Sequence, residues 1–160
     1  MREIKFRAWE KHAKRMAEVT AFKWKPDHLY HQIYTRAIVN QKMIDEWYAY
    51  DFGGDSNGII LMQYTGLKDK NGVEIYEGDI LEFDDLGEEG FEYLEGYEFK
   101  NRSLVCFENG RFELGYFLSR NSAVLDEMNK GTHEGFIENI TESLIVGNIY
   151  ENPELLEEER

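Results

Sequence analysis

The chain has 160 residues, of which 42% are hydrophobic and 14% aromatic, and it carries a formal net charge of −14 and a single cysteine, Cys106. This length suits one domain or two small ones with a packed core. The apolar runs are far shorter than the ~18 residues of a membrane-spanning helix, and no secretory signal or internal disulfide is expected. We therefore predict a cytoplasmic protein that does not enter membranes, with Cys106 as a small buried side chain.

The charge is unevenly distributed along the chain. Residues 1–42 hold ten Lys and Arg against four Asp and Glu, a net +6, so residues 43–160 carry a net −20. One interpretation is that the basic segment packs against the acidic remainder, within one molecule or between subunits. The other is that the basic segment contacts nucleic acid. The acidic total and the lack of any run of five Lys or Arg favour the first interpretation.

The amino-terminal segment predicts a β-hairpin. Apolar and charged residues alternate from Ile4 to Trp9 and in part from Met16 to Trp24, on either side of a polar loop near Lys11 to Lys14. Its basic side chains are the candidate contacts for a partner or for nucleic acid. They are Lys5, Arg7, Lys11, Lys14 and Arg15.

The segment from His28 to Ile44 supports two interpretations. Leu29, Ile33 and Ala37 recur at four-residue spacing, which favours one face of a helix, whereas the Tyr, Ile, Thr and Val content of the same window favours a strand. We predict a helix here. His28 and His31 lack a third metal ligand nearby, so they are interpreted as structural or surface residues.

Glycine-rich residues 53–58 predict the boundary between two parts of the chain. Their spacing does not match a nucleotide-binding loop, and no Lys-Ser or Lys-Thr follows them. We therefore predict an N-terminal basic hairpin and mixed segment over 1–58, a barrel region over 59–152 and a charged tail over 153–160.

Turn signals dominate the centre of the chain. Asn71-Gly72 separates two runs of strand-forming residues, and a second tight corner spans residues 76–79. We expect positive φ at the three glycines of this region and interpret the motif as structural. Its residues are Tyr64, Gly66, Asn71, Gly72, Tyr76, Gly78 and Asp79.

The remaining pattern predicts short strands joined by loops. Residues 84–98 are acidic and contain glycine, which indicates an exposed loop, and Asn109-Gly110 predicts a hairpin between strands at 102–107 and 111–118. On the second of these strands, Phe112, Leu114, Tyr116 and Leu118 are expected on one face. A short helix over 122–128, a last strand over 144–149 and a fraying tail after Pro153 complete the prediction.

Three separated segments resemble one family. They read REIKFRAW at 2–9, QYTGLKDKNG at 63–72 with YEGDI at 76–80, and VGNIYENP at 146–153. In this order they resemble the YopX family, small proteins of phages and prophages of Firmicutes. The resemblance implies an SH3-like barrel in the carboxyl-terminal part and implies no activity or catalytic residues. The fold class predicted is therefore mainly β with minor α content, an N-terminal hairpin region followed by a small, partly open barrel.

The sequence predicts no catalytic residues, no metal and no cofactor. Acidic pairs are expected by chance among 32 Asp and Glu, no serine lies in a nucleophile motif, and the calcium-loop spacing is absent. We predict a non-enzymatic interaction or self-assembly module that forms a homo-oligomer or binds a phage or host protein. The alternatives are a nucleic-acid-binding accessory protein and, third, an acidic mimic of DNA.

Overall fold

The computed structural model describes residues 3–24, 31–50, 58–85, 99–116 and 140–157. Within these residues the chain forms strands and one single-turn 3₁₀ helix, Pro153–Leu156, besides one short turn of helix at residues 140–142. The strands are β1 Phe6–Glu10, β2 Arg15–Lys23, β3 His31–Val39, β4 Lys42–Tyr50, β5 Ile59–Lys68, β6 Glu74–Tyr76, β7 Asp79–Asp85, β8 Phe99–Glu108, β9 Arg111–Gly115 and β10 Leu144–Asn148. No helix in this part of the chain is long and apolar enough to cross a membrane.

The strands form two antiparallel sheets, so the prediction of a mainly β protein is confirmed. The first sheet has the order β4-β3-β2-β1-β5-β6, and the second has the order β10-β7-β8-β9. The chain divides into two compact units, residues 1–64 and 65–160, so that the division falls inside β5. The sequence had placed the boundary earlier, at residues 53–58.

The first unit is built from two hairpins and the start of β5. The predicted hairpin is β1–β2, and β1 also pairs with β5, so that Ala8 lies between Ala17 and Leu61. Ala8, Ile33 and Ile59 form the centre of its core and are inaccessible to water. Burial of apolar side chains from three strands therefore stabilises this unit.

The helix predicted over His28 to Ile44 is wrong. Residues 31–39 are β3, and a turn at Asn40 and Gln41 leads directly into β4, with Val39 opposite Lys42. Residues four apart share one face in a strand as well as in a helix, so the recurrence of Ile33 and Ala37 fits both structures. The β-branched and aromatic side chains of the window decide in favour of the strand.

The second unit contains the other predicted hairpin. Strands β8 and β9 are joined at Asn109 and Gly110, both of which have positive φ, as a type I′ turn requires. Val105 and Leu114 lie opposite each other in this hairpin and belong to the buried core. Tyr116 was expected on the same face as Leu114, but β9 ends at Gly115 and Tyr116 is 73% exposed with φ of 50°.

The predicted small barrel is an open sheet in the residues that the structure describes. Strands β10 and β9 are the edges of the four-stranded sheet, and these strands do not close into a barrel. The three residues of β6, which the sequence had assigned to the barrel, pair into the other sheet beside β5. The first two residues of the expected loop over 84–98 belong to β7, which extends to Asp85. The rest of that loop, Leu118 and the predicted helix over 122–128 lie outside the described residues.

The carboxyl-terminal segment is more ordered than the sequence predicted. The last strand is confirmed as β10, but the tail does not fray at Pro153, since residues 153–156 form the 3₁₀ turn. The guanidinium of Arg102 lies 3.5 Å from the carbonyl oxygen of Leu155. A Cβ at Gly147 would lie 2.8 Å from the Leu155 side chain and 2.7 Å from Oδ1 of Asn152, so a larger residue would have to displace these side chains where the turn packs back on β10.

Candidate interaction surface

The central motif is a set of turns held by buried carboxylates. Gly66, Gly72 and Gly78 have positive φ, as predicted. Between them, Asp69 is 6% exposed, and its Oδ1 accepts hydrogen bonds from the backbone N–H groups of residues 71 and 73, both at 2.9 Å. Asp79 is 1% exposed and accepts a hydrogen bond from the N–H of Tyr76 at 2.8 Å.

The backbone of Gly78 connects two further parts of the second unit. Its N–H donates to the carbonyl oxygen of Val105, and its carbonyl oxygen accepts from the N–H of Ile149. Of the other motif residues, Tyr64 is buried and Asn71 lies exposed in the turn before Gly72. The Asp69 and Asp79 carboxylates and the Gly78 backbone therefore satisfy backbone groups of their own unit, while the structural role of the motif as a whole stays a prediction.

The basic residues of the first hairpin occupy different environments. Lys11 and Lys14 are both exposed in the turn between β1 and β2, where the N–H of Lys14 donates to the carbonyl of Glu10. Lys5 precedes β1, with its Nζ 3.3 Å from the Glu3 carboxylate and 5.6 Å from the centre of the Tyr64 ring. The structure therefore brings only the two turn lysines together at an exposed tip.

The two arginines of this hairpin face neighbouring side chains. Arg7 is half-buried in β1 opposite Glu18 of β2. Arg15 begins β2, and its Nε donates to Oε2 of Glu10 at 2.5 Å. Nη2 of Arg15 also lies 3.1 Å from Glu46. The Arg15 side chain is 20% exposed, and its guanidinium lies against these two carboxylates.

Glu10 is the most deeply buried charged group among the described residues of the first unit. It is 1% exposed, and its second oxygen accepts a hydrogen bond from the Thr35 hydroxyl at 2.6 Å. Both carboxylate oxygens therefore have donors, one from β2 and one from β3. Such an arrangement ties three strands together, and because both oxygens are already engaged it does not present a free base to a substrate.

Tyr48 extends this cluster towards β5. Its hydroxyl donates to Glu46 at 2.6 Å, and burial, together with this hydrogen bond, raises the pKa of the phenol above its usual value. A Cβ at Gly58 would lie 3.0 Å from the Tyr48 ring, so the backbone packs directly on the aromatic face. The cluster is filled by its own side chains.

Potential metal ligands and the Cys106 thiol are the remaining groups that could carry chemistry. In the described ranges, no three His, Cys, Asp or Glu side chains are grouped to hold a metal ion. Cys106 is half-buried, with its Sγ 3.7 Å from the carbonyl oxygen of Leu104, and burial raises the pKa of its thiol, an effect that nearby glutamates reinforce. A raised pKa lowers the thiolate fraction at neutral pH and with it the reactivity of the sulfur.

The largest exposed apolar side chains of the first sheet lie on one face of hairpin β3–β4. Ile38 is 76% exposed, Met43 62% and Trp47 53%, and Ile38 lies directly opposite Met43. Between them, Arg36 donates to Asp45 at 2.8 Å. We call this surface the edge-hairpin face. It consists of Tyr34, Arg36 and Ile38 of β3 and Met43, Asp45 and Trp47 of β4.

The sequence analysis missed the edge-hairpin face, because it assigned this segment to a helix. The opposite face of β3 carries Ile33, Thr35 and Ala37, all of which are buried. The sequence did contain a signal for an exposed apolar face. Residues 31–50 hold apolar side chains at both odd and even positions, which places them on both faces of a strand. A strand with one wet face normally carries polar side chains on that face.

Comparisons with known proteins address the family rather than this surface. A family model described as YopX protein matches residues 5–157. Among solved structures, the chain is similar to the crystal structure of protein EF1440 from Enterococcus faecalis, with 31% sequence identity and a TM-score of 0.54 over 98% of this chain and 100% of that chain. No curated protein matches the sequence. Neither the name of the family nor that of the crystallised protein specifies an activity.

Proposed function

The chain belongs to the YopX family, and from the surface of its first unit we propose that it is a non-enzymatic protein-interaction module. The observation that carries the proposal is the edge-hairpin face, on which Ile38, Met43 and Trp47 are more than half exposed. Grouped exposed apolar side chains on a monomer indicate a contact surface for another protein. In the phage or prophage setting that the family resemblance implies, that protein is a second copy of the chain or a phage or host protein.

The polar side chains of the two units support a non-enzymatic role. Glu10, Asp69 and Asp79 are buried, and each accepts hydrogen bonds that hold strands or turns in place. The buried hydroxyl of Ser143 donates to the carbonyl oxygen of Ile140 at 2.5 Å. Groups engaged in this way stabilise the fold and offer no activated nucleophile.

The test compares two substitutions of exposed apolar residues. Trp47→Lys places a charge in the edge-hairpin face, and Val73→Lys places the same charge at a residue of the second unit that is 52% exposed. We expect sedimentation velocity, alone and with purified candidate proteins from the host, to show a complex that Trp47→Lys abolishes and Val73→Lys retains. A complex indifferent to Trp47→Lys, or no complex in any mixture, contradicts the proposal.

Nucleic-acid binding is the second candidate function. Lys11 and Lys14 at the exposed tip of the first hairpin favour it, because two exposed lysines in one turn can contact phosphates. Arg15 does not add to this tip, since its guanidinium pairs with Glu10 and Glu46. We rank this function below protein interaction.

A further inference from the structure

We propose that the partner of the interaction module is a second copy of the chain, joined edge to edge through β4 around a twofold axis at Trp47. This inference rests on the proposed function and specifies its occupant. The axis would place β4 of the two copies antiparallel, so that two six-stranded sheets continue into one another. Three properties of the β4 edge support this arrangement: its length and regularity, the direction of its backbone groups and its charge pattern.

The first property is the length and regularity of the edge. In the described part of the chain, the sheets have four edge strands: β6 with three residues, β9 with five, β10 with five and a register shift after Ile145, and β4 with nine. The pairing of β4 with β3 continues without a register shift from Lys42 to Tyr50. Short strands and bulges protect an edge against pairing, and β4 has neither protection.

The second property is the direction of the backbone groups. The two-residue turn after Val39 closes with the pair Val39–Lys42, and such a pair exchanges hydrogen bonds. Bonded and non-bonded pairs alternate along an antiparallel ladder. The N–H and C=O groups of Met43, Asp45, Trp47 and Ala49 therefore point away from β3. These are the groups available to another strand.

The third property is the charge pattern, which selects the register. In a continuous sheet with a twofold axis through it, only three registers pair seven or more residues of the nine-residue strand. The axis passes through Asp45, Glu46 or Trp47. The first two registers set Asp45 against Asp45 or Glu46 against Glu46, and like charges directly opposite are destabilising.

The register centred on Trp47 avoids this repulsion. It places Trp47 opposite Trp47 of the second copy, Asp45 opposite Ala49, and Glu46 opposite Tyr48. The outward groups of residues 45, 47 and 49 then form about six hydrogen bonds between the strands. Trp47 and Met43 of both copies would also lie on one continuous face, because opposite residues share a face of the sheet.

Two variants at one position test the edge. Ala49 is exposed, and its N–H points away from β3, so Ala49→Pro removes a bond to the second copy without removing a bond within the monomer. Ala49→Thr keeps the N–H and serves as the control. We expect the full-length protein to dimerise below about 100 μM, and Ala49→Pro to weaken dimerisation by at least about tenfold, while Ala49→Thr does not.

Cross-linking tests the register. In a Cys106→Ser background, Trp47→Cys would bring two sulfurs together across the axis, since Cα atoms of a bonded pair are about 5.5 Å apart, within disulfide range. The backbone groups of Met43 point away from β3 as those of Trp47 do. In none of the three registers does Met43 lie opposite Met43 of the second copy, so Met43→Cys is the control. Under mild oxidation we expect a disulfide-linked dimer from Trp47→Cys and little from Met43→Cys.

Each result decides between the two proposals. A wild-type protein that stays monomeric at this concentration overturns the second copy as partner, yet a complex with another protein that is lost in Trp47→Lys would still support the interaction module. A dimer unaffected by Ala49→Pro, or equal cross-linking at both cysteine positions, overturns the β4 edge.

Discussion

Glu10 is a carboxylate that is almost completely removed from water and is held by donors from two other strands. Arg15 follows it by five residues across the hairpin turn, whereas Thr35 is 25 residues away along the chain. A hairpin predicts the first contact, because the register places Glu10 opposite Arg15. The second depends on which strand packs beside β2, which the local sequence does not specify. Sequence reasoning accordingly treated Arg15 as a surface cation.

A double-mutant cycle measures the coupling of this pair. Arg15→Met leaves the Glu10 carboxylate buried without its cationic partner, and Glu10→Gln leaves the guanidinium without its anion, so each change is expected to destabilise the fold. In the double variant neither charge remains unpaired at this position, and we expect it to be more stable than the sum of the single changes by about 1–3 kcal/mol. Urea unfolding of the four proteins measures these differences.

Lys14 provides the control for the cycle. It is exposed in the same turn, so Lys14→Met should change the free energy of unfolding by no more than about 0.5 kcal/mol. Additive effects of Arg15→Met and Glu10→Gln would show that the short contact between the two side chains does not contribute to stability.

At the scale of elements, the turn residues predicted one of the two tight hairpins, β8–β9, but not the other, β3–β4. Asn109-Gly110 predicted β8–β9 because glycine accepts positive φ readily, and both residues have it. Asn40 and Gln41 adopt φ of 49° and 63° in the corresponding turn of β3–β4. Gln carries no sequence signal for that conformation, so the hairpin was taken for a helix. The missing turn signal at Gln41 therefore contributed to the mistaken helix, together with the four-residue recurrence of Ile33 and Ala37.

The same comparison predicts a stabilising substitution. Gln41→Gly converts the turn to Asn-Gly and removes the steric cost of a side chain in the left-handed region, for an expected gain of about 1 kcal/mol. Thermal unfolding should show a melting temperature a few degrees higher. Gln41→Ala keeps a Cβ at the same φ and should give no gain. A lower melting temperature for Gln41→Gly would mean that the Gln41 side chain makes a stabilising contact that outweighs the strain.

The central turns were the most predictable part of the chain. Glycines at 66, 72 and 78 were expected at positive φ and are found there. What the sequence did not reveal is the reach of the acidic side chains between them: Asp69 accepts from turn N–H groups and also lies 3.3 Å from the N–H of Ile145 on a distant strand. Such a contact depends on how the turn after β5 packs against β10, which local patterns do not determine.

At the scale of the whole molecule, most of the excess positive charge of residues 1–42 is balanced by acidic residues of the same unit. Residues 1–64, the first unit, hold ten Lys and Arg against eight Asp and Glu, a net +2, compared with +6 over residues 1–42. The acidic residues of β4 account for part of this change, and Arg36 pairs with Asp45 while Arg15 faces Glu46. The basic segment is therefore less able to hold another subunit by charge than the sequence suggested.

Salt dependence distinguishes the two modes of assembly. Copies joined by opposed charges separate as salt screens them, as the sequence analysis expected. Copies joined through backbone hydrogen bonds and apolar side chains of β4 should change their dissociation constant by less than about threefold between about 0.05 and 0.5 M NaCl. Sedimentation equilibrium at both salt concentrations measures this. A dimer that dissociates steeply with salt would indicate that opposed charges, and not the β4 edge, hold the copies together.

The same charge distribution also determines whether the protein binds nucleic acid. With a total charge of −14, and with Lys11 and Lys14 the only two of the five candidate basic residues grouped at an exposed tip, the protein should not bind a duplex oligonucleotide at about 0.15 M salt. Fluorescence anisotropy over a salt series measures binding. Should binding occur, Lys11→Ala with Lys14→Ala must flatten its salt slope if the first hairpin is responsible. The matched pair Lys68→Ala with Lys70→Ala, two exposed lysines of β5 and the following turn, should leave that slope unchanged. Binding that both pairs weaken equally would reflect overall charge rather than a site on the hairpin.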